Sequence, residues 1–198
     1  MRHLIIYAHP NEQSLNSHLL RTVTESLELQ NHEIRVRDLY HIGFDPVLSI
    51  ADMQGQRAGT VSEDVQKEQE HISWAEQITF IYPIWWTGLP AIMKGYIDRV
   101  FSYGFAYRYD SGVQKGLLKG KKAIVINTHG KSNEEYERMG MDKALSLTSD
   151  SGIFMYSGLE VIRHFFFDKA DRVSPDDLEV WKEQILNTYL HLPQEITE

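Results

Sequence analysis

The chain has 198 residues, 42% of them hydrophobic and 24% charged, which suits one soluble α/β domain with an ordinary core. Its 20 Lys and Arg against 28 Asp and Glu leave a net charge of −8, which repels phosphate backbones and argues against nucleic-acid binding. Zero cysteines exclude disulfides, thiolate nucleophiles, Cys-ligated zinc and iron–sulfur clusters, so redox chemistry here needs a borrowed cofactor.

In chain order, His3 to Ala8 is an apolar run without alternation, as expected of a strand buried on both faces of a parallel sheet. Nothing ahead of it has the pattern of a secretory leader, and no apolar run approaches the ~20 residues of a bilayer span, so a cytoplasmic protein without a membrane span is expected. Leu15, Leu19, Leu20, Val23, Leu27 and Leu29 mark the face of a first helix, with Ser14 as N-cap. Glu33 to Leu39 is a second strand. Gly43 to Ser73 is a long connection with Asp45-Pro46, Gly55 and Gly59, weakly periodic until a helix near Glu63 to Trp74; such a connection is usually functional or disordered. Ile78 to Tyr82 is a third strand ending at Pro83, and Pro90 opens a helix with Ile92, Met93, Tyr96, Ile97, Val100 and Phe101 on one face. Lys122 to Ile126 is a fourth strand, Met141 to Tyr156 a helical stretch, and Glu160 to Phe167 a fifth strand. Ser174-Pro175-Asp176-Asp177 caps a last helix. Five strands alternating with five helices predict a single doubly wound α/β domain over residues 1–198, a five-stranded parallel sheet with helices on both faces.

In such a sheet a ligand lies beyond the carboxyl ends of the strands, where the strand order reverses. The loop after the first strand delivers His9, Ser14 and Asn16 to a helix N-terminus, where backbone N–H groups attract an anion; taken alone, the same residues read more simply as ordinary capping by Ser14 beside a surface His9. Pro83-Ile84-Trp85-Trp86-Thr87-Gly88-Leu89-Pro90 sets two indoles between prolines, flat walls that suit a flat ring or, alternatively, core or interface residues. Asn127-Thr128-His129-Gly130 offers backbone donors at a glycine, or a plain turn. Gly130-Lys131-Ser132 is no P-loop, because the earlier glycine that motif requires falls on Val125. No H-E-x-x-H or G-x-S-x-G spacing occurs, so no metal site and no serine hydrolase is expected.

Taken in order, Tyr7-Ala8-His9-Pro10 with Ser14-Leu15-Asn16, Asp38-Leu39-Tyr40, the long Pro83 to Phe101 segment, and Gly104 to Tyr109 resemble the flavodoxin-like NAD(P)H:quinone oxidoreductases, the family of DT-diaphorase and the modulator-of-drug-activity proteins. The resemblance spans essentially the whole chain. It implies an NAD(P)H dehydrogenase (quinone) that passes a hydride from NAD(P)H through flavin N5 to a quinone-like acceptor by a ping-pong route. It implies that His9, Ser14, Leu15 and Asn16 hold the flavin phosphate and ribityl chain, and that Pro83, Ile84, Trp85, Trp86, Thr87, Asn127, Thr128, His129 and Gly130 cradle the ring. Tyr136 resembles the active-site tyrosine. The histidine that follows it in the family is absent, since Met139, Gly140, Met141 and Asp142 fill that stretch, and His129 or solvent is left to move the proton. Tyr107 and Tyr109, with Trp86, would form the acceptor site, the two tyrosines reaching into the pocket of a second subunit of a homodimer. Gly43-Phe44-Asp45-Pro46 and the long loop favour FAD, with FMN the alternative. Two other roles within reach of the resemblance are a flavin-binding regulatory partner of a potassium-efflux transporter and a flavodoxin-type electron carrier.

Overall fold

The computed structural model describes residues 1–192; the last six residues of the expected domain lie outside the described residues. Five strands, β1 (Arg2–Tyr7), β2 (Glu33–Asp38), β3 (Gln77–Pro83), β6 (Lys122–Thr128) and β7 (Glu160–Phe167), form one parallel sheet in the order β2-β1-β3-β6-β7. The chain moves outward from β1 to β2 and then crosses back to β3, so the order reverses between β1 and β3, and the cleft above that point is the natural ligand site.

The central strands are buried runs because both faces are covered. On one face, Ile5, Tyr7, Ile81, Ile124, Ile126, Phe165 and Phe167 pack under α1 (Leu15–Glu28) and α7 (Pro175–Leu190), which supply Leu19, Val23, Leu27, Trp181, Ile185 and Tyr189. On the other, Leu4, Ile6, Phe80, Tyr82 and Val125 meet Val65 and Ile72 of α3 (Glu63–Trp74), Met93, Tyr96 and Ile97 of α4 (Ala91–Val100), and Phe154.

The structure departs from the sequence expectation in four places. The long connection carries an extra helix, α2 (Ile50–Ala58), closed by a Ser49/Asp52 capping box and by Gly59 in the left-handed conformation. A short antiparallel hairpin, β4 (Tyr107–Asp110) and β5 (Val113–Gly116), follows α4. The fourth sheet strand runs two residues further than read, so Asn127 and Thr128 lie in β6 and not in a loop. The expected helix from Met141 to Tyr156 is α6 (Met141–Ser146) continued by a π-helical stretch, Leu147–Met155, and preceded by a separate helix, α5 (Asn133–Met139). Gly140, left-handed at φ 72°, makes the break between α5 and α6.

Candidate active site

Three loops meet above the switch point. Ser14 caps α1, its hydroxyl accepting from the Ser17 N–H at 3.2 Å, and the Tyr7 hydroxyl lies 3.4 Å from the same oxygen. The first-turn N–H groups of Leu15 and Asn16 precede any intrahelical partner, so they are donors available to an anion. Leu15 turns its side chain toward the core beneath α1. His9 folds over its own loop, with Nδ1 3.1 Å from the Asn11 N–H, and its ring stands edge-on to Trp85 at 5.8 Å. Burial holds the His9 imidazole below its ordinary pKa, so it is a neutral group at pH 7.

Asn16 is the joint between the first and third loops. It is buried, donates from Nδ2 to Thr128 Oγ1 at 2.8 Å, and leaves Oδ1 buried without a partner among the described residues. An orphaned buried acceptor is costly, so a hydroxyl or N–H supplied from outside the chain fits there.

The second loop is a tight turn. Trp85 and Gly88 exchange N–H and C=O bonds, both at 3.1 Å, across Trp86 at φ 52° and Thr87 at φ 55°. This primed turn normally takes Asn-Gly, and a tryptophan followed by a β-branched threonine in the left-handed region is an outlier. The Thr87 hydroxyl closes it by donating to the Trp86 carbonyl at 2.7 Å. The turn lifts Trp86 to 100% exposure while Pro83 and Ile84 stay buried, Ile84 donating to the Thr128 carbonyl at 2.8 Å.

The third loop leaves β6 at His129, which is buried, donates from Nε2 to Asn133 Oδ1 at 3.1 Å, and lies flat on Tyr136 with ring centroids 4.4 Å apart and 6° between planes. A Ser132/Glu135 capping box starts α5 at Asn133 and so places Tyr136 over His129. Burial depresses the His129 pKa, with the Asn133 bond opposing, so the ring is neutral at pH 7. Gly130 is exposed, and a Cβ there would meet Asp171 Oδ1 at an ordinary 3.7 Å, so space does not demand the glycine. Asn127 turns inward, donating from Nδ2 to the Tyr82 carbonyl at 3.0 Å.

A cavity of about 320 Å³ opens beside Tyr136, lined also by Asn133, Asp142, Lys143 and Phe166. Asp142 holds on its wall a buried Oδ1 without a partner among the described residues, in the stretch where the resemblance leads one to look for a histidine. Asn133 and Asp142 were not singled out from the sequence; the S-x-x-E pattern at Ser132 to Glu135 was the available signal for the helix that carries the first.

Tyr107 and Tyr109 sit apart from this group within the chain. They stand on the hairpin and pack against Tyr103, which precedes it, and Tyr156, which ends the π-helical stretch, the Tyr109 and Tyr156 hydroxyls 3.0 Å apart, beside a cavity of about 410 Å³ lined with Met53, Gln56 and Arg57.

A doubly wound parallel sheet with an aromatic turn and a capped helix end facing its switch point defines a flavodoxin-type domain. Residues 1–190 match the family model described as flavodoxin-like fold, and the chain belongs to that family. It is 40% identical over 86% of its length to a Haemophilus influenzae protein named as an uncharacterized NAD(P)H oxidoreductase, of which the match covers 88%. It is 30% identical over 97% of its length to NAD(P)H dehydrogenase [quinone] 1 of Cavia porcellus, covering 78% of that protein. The solved NAD(P)H:quinone oxidoreductase of Methanothermobacter marburgensis superposes with a TM-score of 0.88 at 27% identity, over 98% of this chain and 99% of that one.

Proposed function

We propose that this chain is a flavin-dependent NAD(P)H:quinone oxidoreductase. The observation that supports this most is the meeting of three loops at the switch point, with one indole held fully exposed on a strained turn. An exposed large aromatic on a constrained backbone is the signature of a surface kept for a flat partner. The residues fit a flavin. The end of α1 would supply N–H donors for its phosphate, Asn16 Oδ1 lacks a donor among the described residues that a ribityl hydroxyl would provide, and the exposed Trp86 and the stacked His129–Tyr136 pair would supply flat surfaces for its ring. Bound there, the flavin supplies the two-electron carrier that a chain without cysteine lacks.

The chain's own residues then bind, orient and move protons. Ser14 and the first turn of α1 hold the anionic end. The Trp85–Gly88 turn and its exposed Trp86 would hold the ring. Tyr136 would direct its phenolic O–H toward the bound ring, and the neutral His129 stacked on it holds that phenol in place. FAD is assigned over FMN on the long connection beginning at Gly43. Tyr107 and Tyr109 project from the hairpin to complete the acceptor pocket of a second copy, making a cytoplasmic homodimer with two composite sites.

The test is steady-state assay of the purified chain loaded with FAD or FMN, with NADH or NADPH as donor and menadione as acceptor. Flavin-dependent, saturable menadione reduction is expected. Bound flavin without turnover from either nicotinamide would leave a flavin-binding subunit and end the enzyme reading. Heat-released cofactor running as FMN on chromatography would overturn the choice of FAD, and a sedimenting monomer would overturn the composite site.

A further inference from the structure

Behind the third loop lies a buried polar chain that no step above uses. Asp150, in the π-helical stretch, faces His164 of β7 with its two carboxylate oxygens 2.8 and 3.0 Å from Nδ1. His164 Nε2 is 2.7 Å from Asn127 Oδ1, and Asn127 Nδ2 donates to the Tyr82 carbonyl at 3.0 Å. The His164 and Asp150 side chains are 7% and 16% exposed. Ser149 adds a 2.9 Å contact to Asp150 Oδ1.

The hydrogen count of this chain is constrained by its ends. The Tyr82 carbonyl can only accept, so it takes the Asn127 amino group and leaves Asn127 Oδ1 turned to His164. That oxygen can only accept, so Nε2 carries a hydrogen. The carboxylate of Asp150 also only accepts, so Nδ1 carries one too. A neutral ring beside a carboxylate would set two acceptors against each other at one end or the other, at a separation of 3 Å or less.

We propose that Asp150 and His164 are positioning residues that act through Asn127, with both imidazole nitrogens of His164 carrying hydrogen, to fix the spacing between the Trp85–Gly88 turn and the Thr128–Gly130 loop. Asn127 pairs in register with Tyr82, the residue before Pro83, and itself precedes Thr128, so its amide ties the roots of both loops. A buried ion pair adds little net stability over apolar packing, so what it contributes here is fixed geometry. The π-helical stretch carries both holds, since Asp150 reaches His164 of β7 while Phe154, four residues on, stacks on Phe80 of β3 at 4.3 Å.

This inference rests on the flavin reading of the two loops, and the experiment separates the two. The imidazole ¹H–¹⁵N spectrum of the full chain at neutral pH, with His164 assigned by its loss in His164→Gln, should show two protonated nitrogens on that ring, one of them lost in Asp150→Asn. FAD and FMN affinities are then titrated by fluorescence. His164→Leu should raise both dissociation constants about tenfold, and His164→Gln, which can still donate to Asn127, should restore them to within about threefold. A singly protonated His164 ring in the unmodified chain overturns the proposal, as do unchanged affinities in a His164→Leu chain whose circular dichroism is native. If His164→Leu does not fold, the same affinity loss is expected of Asn127→Asp, which keeps an acceptor toward His164 but cannot donate to the Tyr82 carbonyl, and its absence overturns the proposal equally. Failure of the unmodified chain to bind either flavin ends the flavin reading and the positioning role with it, and is told apart because the ring signals of His164 do not depend on flavin.

Discussion

At the scale of single residues, the site keeps side chains in places that stability alone would not choose. Thr87 is the clearest. A β-branched residue at φ 55° costs on the order of 1–3 kcal/mol, and glycine would remove that cost without disturbing the Trp85–Gly88 bonds. Thr87→Gly is therefore expected to raise the melting temperature of the flavin-free chain by a few degrees, at about 2–4 °C per kcal/mol for this size. Flavin affinity should fall, because the turn that presents Trp86 becomes mobile. Calorimetry and flavin titration of the same variant check both halves. Tyr136 makes the opposite demand, since its packing on His129 uses the ring and not the hydroxyl. Tyr136→Phe should leave stability and flavin content unchanged while slowing stopped-flow flavin reduction by about 10²-fold or more; unchanged reduction would show that another group delivers the proton, with Asp142 on the same cavity wall the first to examine.

At the scale of elements, one arginine explains how the long connection is held. Arg99 of α4 is buried and reaches Asp52 of α2, Asp64 of α3, the Ser62 hydroxyl and the Asp45 carbonyl, with its guanidinium 5.4 Å from the Phe44 ring. Side-chain bonds from Arg99 and Ser62 and the Arg99 charge outweigh desolvation and hold the Asp64 carboxyl down at about 2. Gly95, one turn earlier, lets the connection cross, since a Cβ there would stand 2.1 Å from the Pro46 carbonyl oxygen. Arg99→Met leaves the half-buried Asp52 carboxylate without its guanidinium partner and should cost about 1–3 kcal/mol, with α2 gaining hydrogen exchange before the sheet does. The same network shows why α2 was not legible in the sequence. None of its residues is buried, so no apolar stripe marks it, and what places it is a side chain more than forty residues away. The hairpin was illegible for a related reason, being two four-residue strands with no buried position. The central strands were legible because double burial writes them as apolar runs; the edge strand Glu160 to Phe167, only partly buried, was read to the residue from its β-branched and aromatic content. In the site, the three loops could be read from motifs and strand ends. Their joints could not, because Asn16–Thr128 and Asn127–His164 are long-range polar pairs that leave no local pattern.

At the scale of the whole molecule, histidine sets the acid limit of the fold. Burial pushes His3 down to about 3, with His32 and the N-terminal charge adding to the effect, while its Nε2 lies 2.8 Å from Thr79 Oγ1, which is 2.6 Å from the Tyr189 hydroxyl. Burial also lowers His9, His18, His32, His71 and His129. The sign follows from which state takes the proton first. An unfolded histidine binds it near 6.5, whereas folded His3 does not until about 3, so between those values the unfolded chain holds the extra proton and folding loses stability as pH falls. Above 6.5 the two states are equally unprotonated and the loss vanishes. One group with this displacement accounts for about 1.4 kcal/mol per pH unit, hence about 2 kcal/mol between pH 6.5 and 5. Urea melts at pH 7.5 and pH 5.0 should therefore show a marked drop in the free energy of unfolding, and His3→Gln should lessen that drop by about 2 kcal/mol, whatever it does to stability at pH 7.5. An equal drop in both chains would mean that His3 is solvated in the folded protein and that the amino-terminal end of the sheet is more open than its burial requires.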